Sequence, residues 1–240
     1  MSRAVVLIHG FGTSTRLWDQ VLPQLEGQIL TLDLPGFGDS PDERYSVDGM
    51  ADAVQERLAG LRDFVLVGHS MGGKVAAVLA ARRPVGLSGL LLIAPSPLSP
   101  EPMTAYGRQA LKAAYGQPDL LAEHYRQITR QPLSENTLAQ LVSDGVRASQ
   151  AAWNAWPDSG SRENRVSEAG RIEVPVSLLT SQDDPVIGPG VVAQHLLSTY
   201  SGAALTRLTG SGHLLPLELP AAVARFIEQG ASTGFPAGHR

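Results

Sequence analysis

The chain has 240 residues, 43% of them hydrophobic and 18% charged, enough apolar material for one sizeable core and too much for a disordered chain. A net charge of −4, with no run of five or more Lys/Arg, excludes the electrostatic footprint of a nucleic-acid or anionic-membrane binder and favours a small neutral or weakly charged substrate. Cysteine is absent, which removes disulfides, thiolate metal sites and cysteine nucleophiles together, so covalent catalysis would fall to oxygen or nitrogen.

Met1-Ser2-Arg3 leads into Ala4 to Ile8, an apolar run too short for a signal segment or a membrane span, which reads as the first strand of a cytoplasmic protein. It ends at His9-Gly10-Phe11-Gly12-Thr13, a glycine-rich turn suited to exposing a backbone N–H. Leu17 to Leu25 reads as helical and 28–33 as a second strand. Val47, Met50, Val54 and Leu58 recur at spacings of three and four, one apolar helical stripe. A strand over 63–68 runs into Gly68-His69-Ser70-Met71-Gly72-Gly73, and 70–82, Ala-rich and nearly apolar all round, reads as a buried helix. A strand over 87–94 follows. Between 97 and 170 no strand is legible, and prolines punctuate helical pieces carrying Met103, Tyr106, Leu111, Leu121, Trp153 and Trp156. This is the pattern of an inserted helical cap, a device that commonly roofs an active site. Strands over 174–180 and 203–208 complete the rhythm. The expected class is therefore α/β, a mostly parallel central sheet flanked by helices. The core covers 1–96 and 171–230, the cap 97–170, and a frayed Gly/Pro/Ser-containing tail 231–240.

The turn Gly68 to Gly72 is a G-x-S-x-G sequence between a strand and a helix. A sharp turn there lifts the Ser70 hydroxyl above the sheet at a helix N-terminus, and the glycines let the backbones pass closely. Ser70 is thus the candidate nucleophile, the alternative being a plain helix N-cap. Acyl transfer needs two donors for the tetrahedral oxyanion, and the backbone N–H groups of Phe11 and Met71 are assigned to it. His9, at a strand end far ahead of the nucleophile, is read as structural.

Three successive motifs, His9-Gly10-Phe11-Gly12, Asp33-Leu34-Pro35-Gly36-Phe37-Gly38-Asp39-Ser40 and Gly68-His69-Ser70-Met71-Gly72-Gly73, resemble signatures of the α/β-hydrolase superfamily. Within it the chain is most similar to small capped carboxylesterases of the pimeloyl-acyl-carrier-protein methyl ester esterase type. The resemblance covers nearly the whole chain outside 97–170. It implies the order Ser, acid, His. His213, in Gly210-Ser211-Gly212-His213-Leu214, takes the place of the base. The acid falls on Asp183 or Asp184; counting the family pattern from Pro175 puts Ser181 where a Gly is usual and Asp184 at the acid, so Asp184 is preferred. His69, His124, His195 and His239 lack such a context, and Asp33 is read as stabilising its loop.

The implied activity is hydrolysis of small, short-chain carboxylic esters through an acyl-enzyme on Ser70, with no metal or organic cofactor. Serine at position 70 argues against epoxide hydrolases and haloalkane dehalogenases, which place Asp there. Lactonase, thioesterase, perhydrolase and C–C hydrolase activities remain compatible, and a non-catalytic small-molecule receptor is the alternative of a different class. Leu98, Trp153, Trp156 and Leu214, beside Phe11 and Met71, are candidates for an apolar acyl pocket, although the tryptophans suit a cap core equally. The expected partner is a small-molecule ester, with no nucleic acid and no membrane, and the expected state is a monomer or small homo-oligomer.

Overall fold

The computed structural model describes residues 3–232. Six strands form one wholly parallel sheet: β1 (Ala4–Ile8), β2 (Ile29–Leu32), β3 (Phe64–His69), β4 (Leu87–Ile93), β5 (Val176–Ser181) and β6 (Ala204–Leu208). Their spatial order is β2-β1-β3-β4-β5-β6. β1 and β3 are buried over their whole length, which is why they read as unbroken apolar runs rather than as alternation. The edge strand β6 is largely exposed and carries Thr206 and Arg207. All six strands fall within two residues of the sequence expectation.

Helix α1 (Val47–Arg57) starts at Ser46, whose hydroxyl accepts from Gly49 N, and buries the predicted stripe. Helix α2 (Met71–Ala81) packs against α1 and the central strands, with every residue buried. The helix expected over Leu17 to Leu25 is instead two single 3-10 turns, Thr15–Trp18 and Leu22–Gln24. Pro23 is the reason, since it has no N–H to continue a helix and starts a new turn instead.

Between β4 and β5 the chain builds four helices of nine or more residues, α3 (Ala105–Ala113), α4 (Pro118–Ile128), α5 (Glu135–Arg147) and α6 (Gln150–Asp158), followed by the short turns Gly160–Arg162 and Val166–Ala169. Thr104 and Ser134 cap α3 and α5 with their hydroxyls, and Pro118 opens α4 where its missing N–H costs nothing. α4 pairs with α5 and α3 with α6. Buried polar contacts fasten this layer to the loops after β1 and β2. Tyr125 donates to Gly12 O at 2.7 Å, Ser14 Oγ to Asp144 Oδ2 at 2.9 Å, and Ser149 N to Gly36 O at 2.7 Å. Arg16 completes the grip on Asp144. The C-terminal helix α7 (Pro220–Ser232) lies along β3, β4 and β5. From residue 233 onward the expected tail lies outside the described residues.

Strand order reverses between β1 and β3, and the crevice outside the carboxyl ends of such strands is where open α/β sheets hold their ligands. The turn after β1 carries Phe11 and the turn after β3 carries Ser70.

Candidate active site

Ser70 stands between β3 and α2 with φ 51° and ψ −120°, a conformation that side-chain-bearing residues rarely adopt. Two close approaches make the turn possible. A Cβ on Gly72 would collide with the carbonyl oxygen of His9, and one on Gly10 would lie 3.1 Å from Ser70 Cβ and 2.7 Å from His69 Nδ1. The β1 turn thus runs directly against the elbow, with Phe11 next in sequence to that contact. Met71 is the first residue of α2, so its N–H has no acceptor one turn earlier. The two residues expected to serve an oxyanion, Phe11 and Met71, thus stand in the turns that follow β1 and β3.

The loops after β5 and β6 meet at the same point. Ser70 Oγ donates to His213 Nε2 at 2.8 Å, and His213 Nδ1–H donates to Asp184 Oδ2 at 2.8 Å. Asp184 Oδ1 accepts from Val186 N at 2.7 Å and Ile187 N at 3.0 Å, so the carboxylate is held from its own loop. Asp183 points elsewhere: it is exposed, and its Oδ2 accepts from Gly210 N at 2.6 Å. Of the two adjacent acids, only Asp184 contacts the imidazole.

Burial alone would raise the Asp184 carboxyl, but the charge and hydrogen bond of His213, with the two backbone donors, hold it below the usual carboxylate range. Burial likewise pushes His213 down, yet the Asp184 charge and hydrogen bond, then Glu101 and Glu218, lift it above the ordinary imidazole value. An ionised Asp184 fixes the tautomer that leaves Nε2 free to accept the Ser70 proton.

The other histidines serve the frame. His9 accepts from Leu34 N at 2.9 Å through Nε2 and gives its Nδ1–H to Gly10 O at 2.7 Å, joining the loops after β1 and β2. His69 donates Nε2–H to the carbonyl of His213 at 2.8 Å; burial, then the charge of His213, push it down to about 3, so it stays neutral. His195 bonds Ser99 Oγ at 2.8 Å. Asp33 accepts from Thr15 N at 2.7 Å and Asp39 N at 3.0 Å, closing its loop. His239 lies outside the described residues.

A cleft of about 640 Å³ opens between α3, α4 and the segment after β5, walled by Met103, Leu111, Leu120 and Val186, with Glu101 and His124. Ser70, His213 and Asp184 do not line it; it adjoins them through Val186, whose N–H holds Asp184, and through Glu101, whose Oε2 accepts from Ser96 Oγ at 2.8 Å. Ser96 N in turn donates to Ser70 O at 2.9 Å. The four residues expected to form the pocket, Leu98, Trp153, Trp156 and Leu214, do not line this cleft and are buried. A buried indole needs an acceptor, and Trp153 finds Leu111 O at 2.8 Å while its ring lies 4.5 Å from Phe11 between centroids. Trp153 therefore supports the cleft wall from behind, and Trp156 packs over Gly160.

Five buried charged side chains among the described residues escaped sequence reasoning, including Arg108 and Asp144. Lys74 is fully buried within α2, donating to Glu163 O at 2.7 Å; Glu101 borders the elbow; Glu218 gathers backbone donors around His213. Only Glu218 left a trace in sequence, five residues after the histidine. Among the described residues, no group of three or more His, Asp or Glu is placed to hold a metal ion, and no helix is long and apolar enough to cross a membrane.

The sequence pattern of the alpha/beta hydrolase family matches residues 5–226. The chain belongs to the alpha/beta hydrolase family. Relatives within reach are pimeloyl-[acyl-carrier protein] methyl ester esterases of Neisseria meningitidis. The serogroup C protein is 26% identical over 226 residues, covering 88% of this chain and 86% of that one, and a serogroup B protein is 28% identical over 248 residues, covering 95% and 94%. Among solved structures, an esterase from Exiguobacterium antarcticum superposes with a TM-score of 0.83 at 19% identity, covering 95% of this chain and 93% of that one. A bromoperoxidase from Bacillus anthracis does so with a TM-score of 0.82 at 19% identity, covering 95% and 90%. At that identity the two structures attest the alpha/beta hydrolase fold.

Proposed function

We propose that this alpha/beta hydrolase is a serine carboxylic ester hydrolase that cleaves small esters through an acyl-enzyme on Ser70. The observation that carries the reading is the unbroken hydrogen-bonded line from Asp184 through His213 to Ser70, ending on a residue held at φ 51°. His213 Nε2 takes the Ser70 proton as Oγ attacks the ester carbonyl. In this reading the negative charge that develops on the carbonyl oxygen is met by the N–H groups of Phe11 and Met71. The protonated His213, stabilised by ionised Asp184, returns its proton to the departing alcohol. Water then repeats the sequence on the acyl-enzyme and frees the acid.

The helices α3 to α6 act in this reading as a cap, and the cleft they form with Val186 and Pro185 is the acyl site. Because the relatives are named as methyl ester esterases of a carrier-bound acyl chain, a methyl ester with a longer acyl part is a second reading, favoured by the apolar walls of that cleft. A small-molecule ester as partner and a cytoplasmic setting belong to the same proposal.

Incubation with a fluorophosphonate followed by peptide mass spectrometry is expected to find the adduct on Ser70, and an unlabelled protein refutes the reading. A series of p-nitrophenyl esters of rising acyl length, set beside the matching methyl esters, separates the two substrate classes. A preference for acetate or butyrate supports short chains, and a preference for longer acyl methyl esters supports the second reading.

A further inference from the structure

Glu218 lies outside the three-residue line and is buried, yet its carboxylate accepts four backbone hydrogen bonds from two separate parts of the chain. Oε2 accepts from Gly212 N at 2.7 Å, Arg130 N at 2.7 Å and Gln131 N at 2.9 Å, and Oε1 from Leu214 N at 3.1 Å. Gly212 and Leu214 are the two neighbours of His213; Arg130 and Gln131 begin the connection between α4 and α5. The single helical turn Leu215–Glu218 bends the glutamate back over the loop that precedes it, so that its carboxylate accepts the N–H of Leu214, four residues earlier. The same two segments meet at further points. His213 N donates to Ile128 O at 2.7 Å, the Gln131 side chain donates to Gly210 O, and a Cβ on Gly212 would collide with Ile128 O.

We propose that Glu218 is a positioning residue that latches the loop bearing His213 to the end of α4, so that the seating of the helices over the cleft sets the distance between base and nucleophile. A buried carboxylate with four charge-assisted donors resists displacement, since withdrawing it leaves four amides without partners. The imidazole it steadies is faced by Asp184, by Glu101, by His69 of β3 and by His124 of α4. Glu218 adds its negative charge to that set without touching the reacting atoms.

The inference rests on the reading of Ser70 and His213 as nucleophile and base. The test compares Glu218→Gln and Glu218→Asp in the full chain on a short p-nitrophenyl ester, scaled to active sites by fluorophosphonate titration. Gln keeps the length and loses the charge; Asp keeps the charge and loses the reach. Both variants are expected to lower kcat by about thirtyfold while KM moves less than about threefold. Only Glu218→Gln is expected to move the acidic limb of the pH profile to lower pH, because one negative charge near His213 is gone. A kcat within twofold of the parent, or a loss that vanishes after active-site scaling, overturns the proposal. If Glu218→Gln does not fold, Gln131→Ala removes an exposed side-chain arm of the same latch. It is expected to lower kcat by about threefold at constant KM, and an unchanged kcat overturns the latch. A parent protein that fluorophosphonate leaves unlabelled refutes the hydrolase reading instead, so the two failures are distinguishable.

Discussion

At the scale of single residues, the two neighbouring aspartates separate cleanly. Asp184 meets His213 Nδ1 at 2.8 Å, while Asp183 meets only Gly210 N. Asp184→Asn is expected to lower turnover by about 10²–10⁴, as losing the orienting acid of such a triad does, and Asp183→Asn to stay within about threefold with a stability loss of ~1 kcal/mol. Steady-state kinetics of both variants checks this, and equal small losses refute the assignment. The pH dependence follows with its sign. His213 works as a base only when neutral and its pKa is raised, so kcat/KM should fall as pH drops through a midpoint above the ordinary value of about 6.5. Asp184→Asn removes the charge that raises it, and the midpoint of the residual activity should move down. Ser70 was legible in the sequence because a strand, a glycine-flanked serine and a buried helix constrain one another locally. Asp184 was preferred over Asp183 on the family spacing alone, since the choice itself depends on which carboxylate turns toward a histidine nearly thirty residues away. The role of Glu218 was not legible at all, because half of its donors come from Arg130 and Gln131.

Among the elements, α2 departs most from its sequence pattern. The stretch 70–82 reads as an apolar buried helix, and it is one, but Lys74 is buried with it. Its ammonium donates to Glu163 O at 2.7 Å, and burial pushes it down to about 8, against ~10.4 for a free lysine. The folded pKa lies below the unfolded one, so between about pH 8 and pH 10.4 the unfolded chain binds more protons and stability from this group rises with pH. Urea midpoints at pH 7.5 and 9.5 should therefore climb more steeply for the parent than for Lys74→Met; parallel slopes refute the attribution. The two short turns near Trp18 show the converse limit. Leu17 to Leu25 reads as helical, and the single missing N–H of Pro23 divides it into two turns. Periodicity reports which face is buried; it does not report whether every backbone donor along the way exists.

At the scale of the whole molecule, the six strands and their parallel type were legible in the run of short apolar segments, while their spatial order, which positions the site, is set by the folded sheet. The helices between β4 and β5 were legible as helical but not in their contacts, since Trp153 and Asp144 take their partners from α3 and from the loop after β1. That insertion also divides the sheet in time. β4 and β5 lie side by side, yet roughly eighty residues separate Ile93 from Val176, and pairing across such a gap must close a long loop before any contact rewards it. The first four strands and α2 carry Ser70 and Phe11; Asp184 and His213 arrive only with β5 and β6. A refolding chain is thus expected to assemble its nucleophile before its base, through a state whose sheet has begun to form but whose serine is inert. Stopped-flow refolding should show far-UV signal recovering ahead of fluorophosphonate reactivity, and simultaneous recovery would mean that the sheet closes as one unit. For a newly made chain, this order of assembly delays reactivity until the last strands are in place.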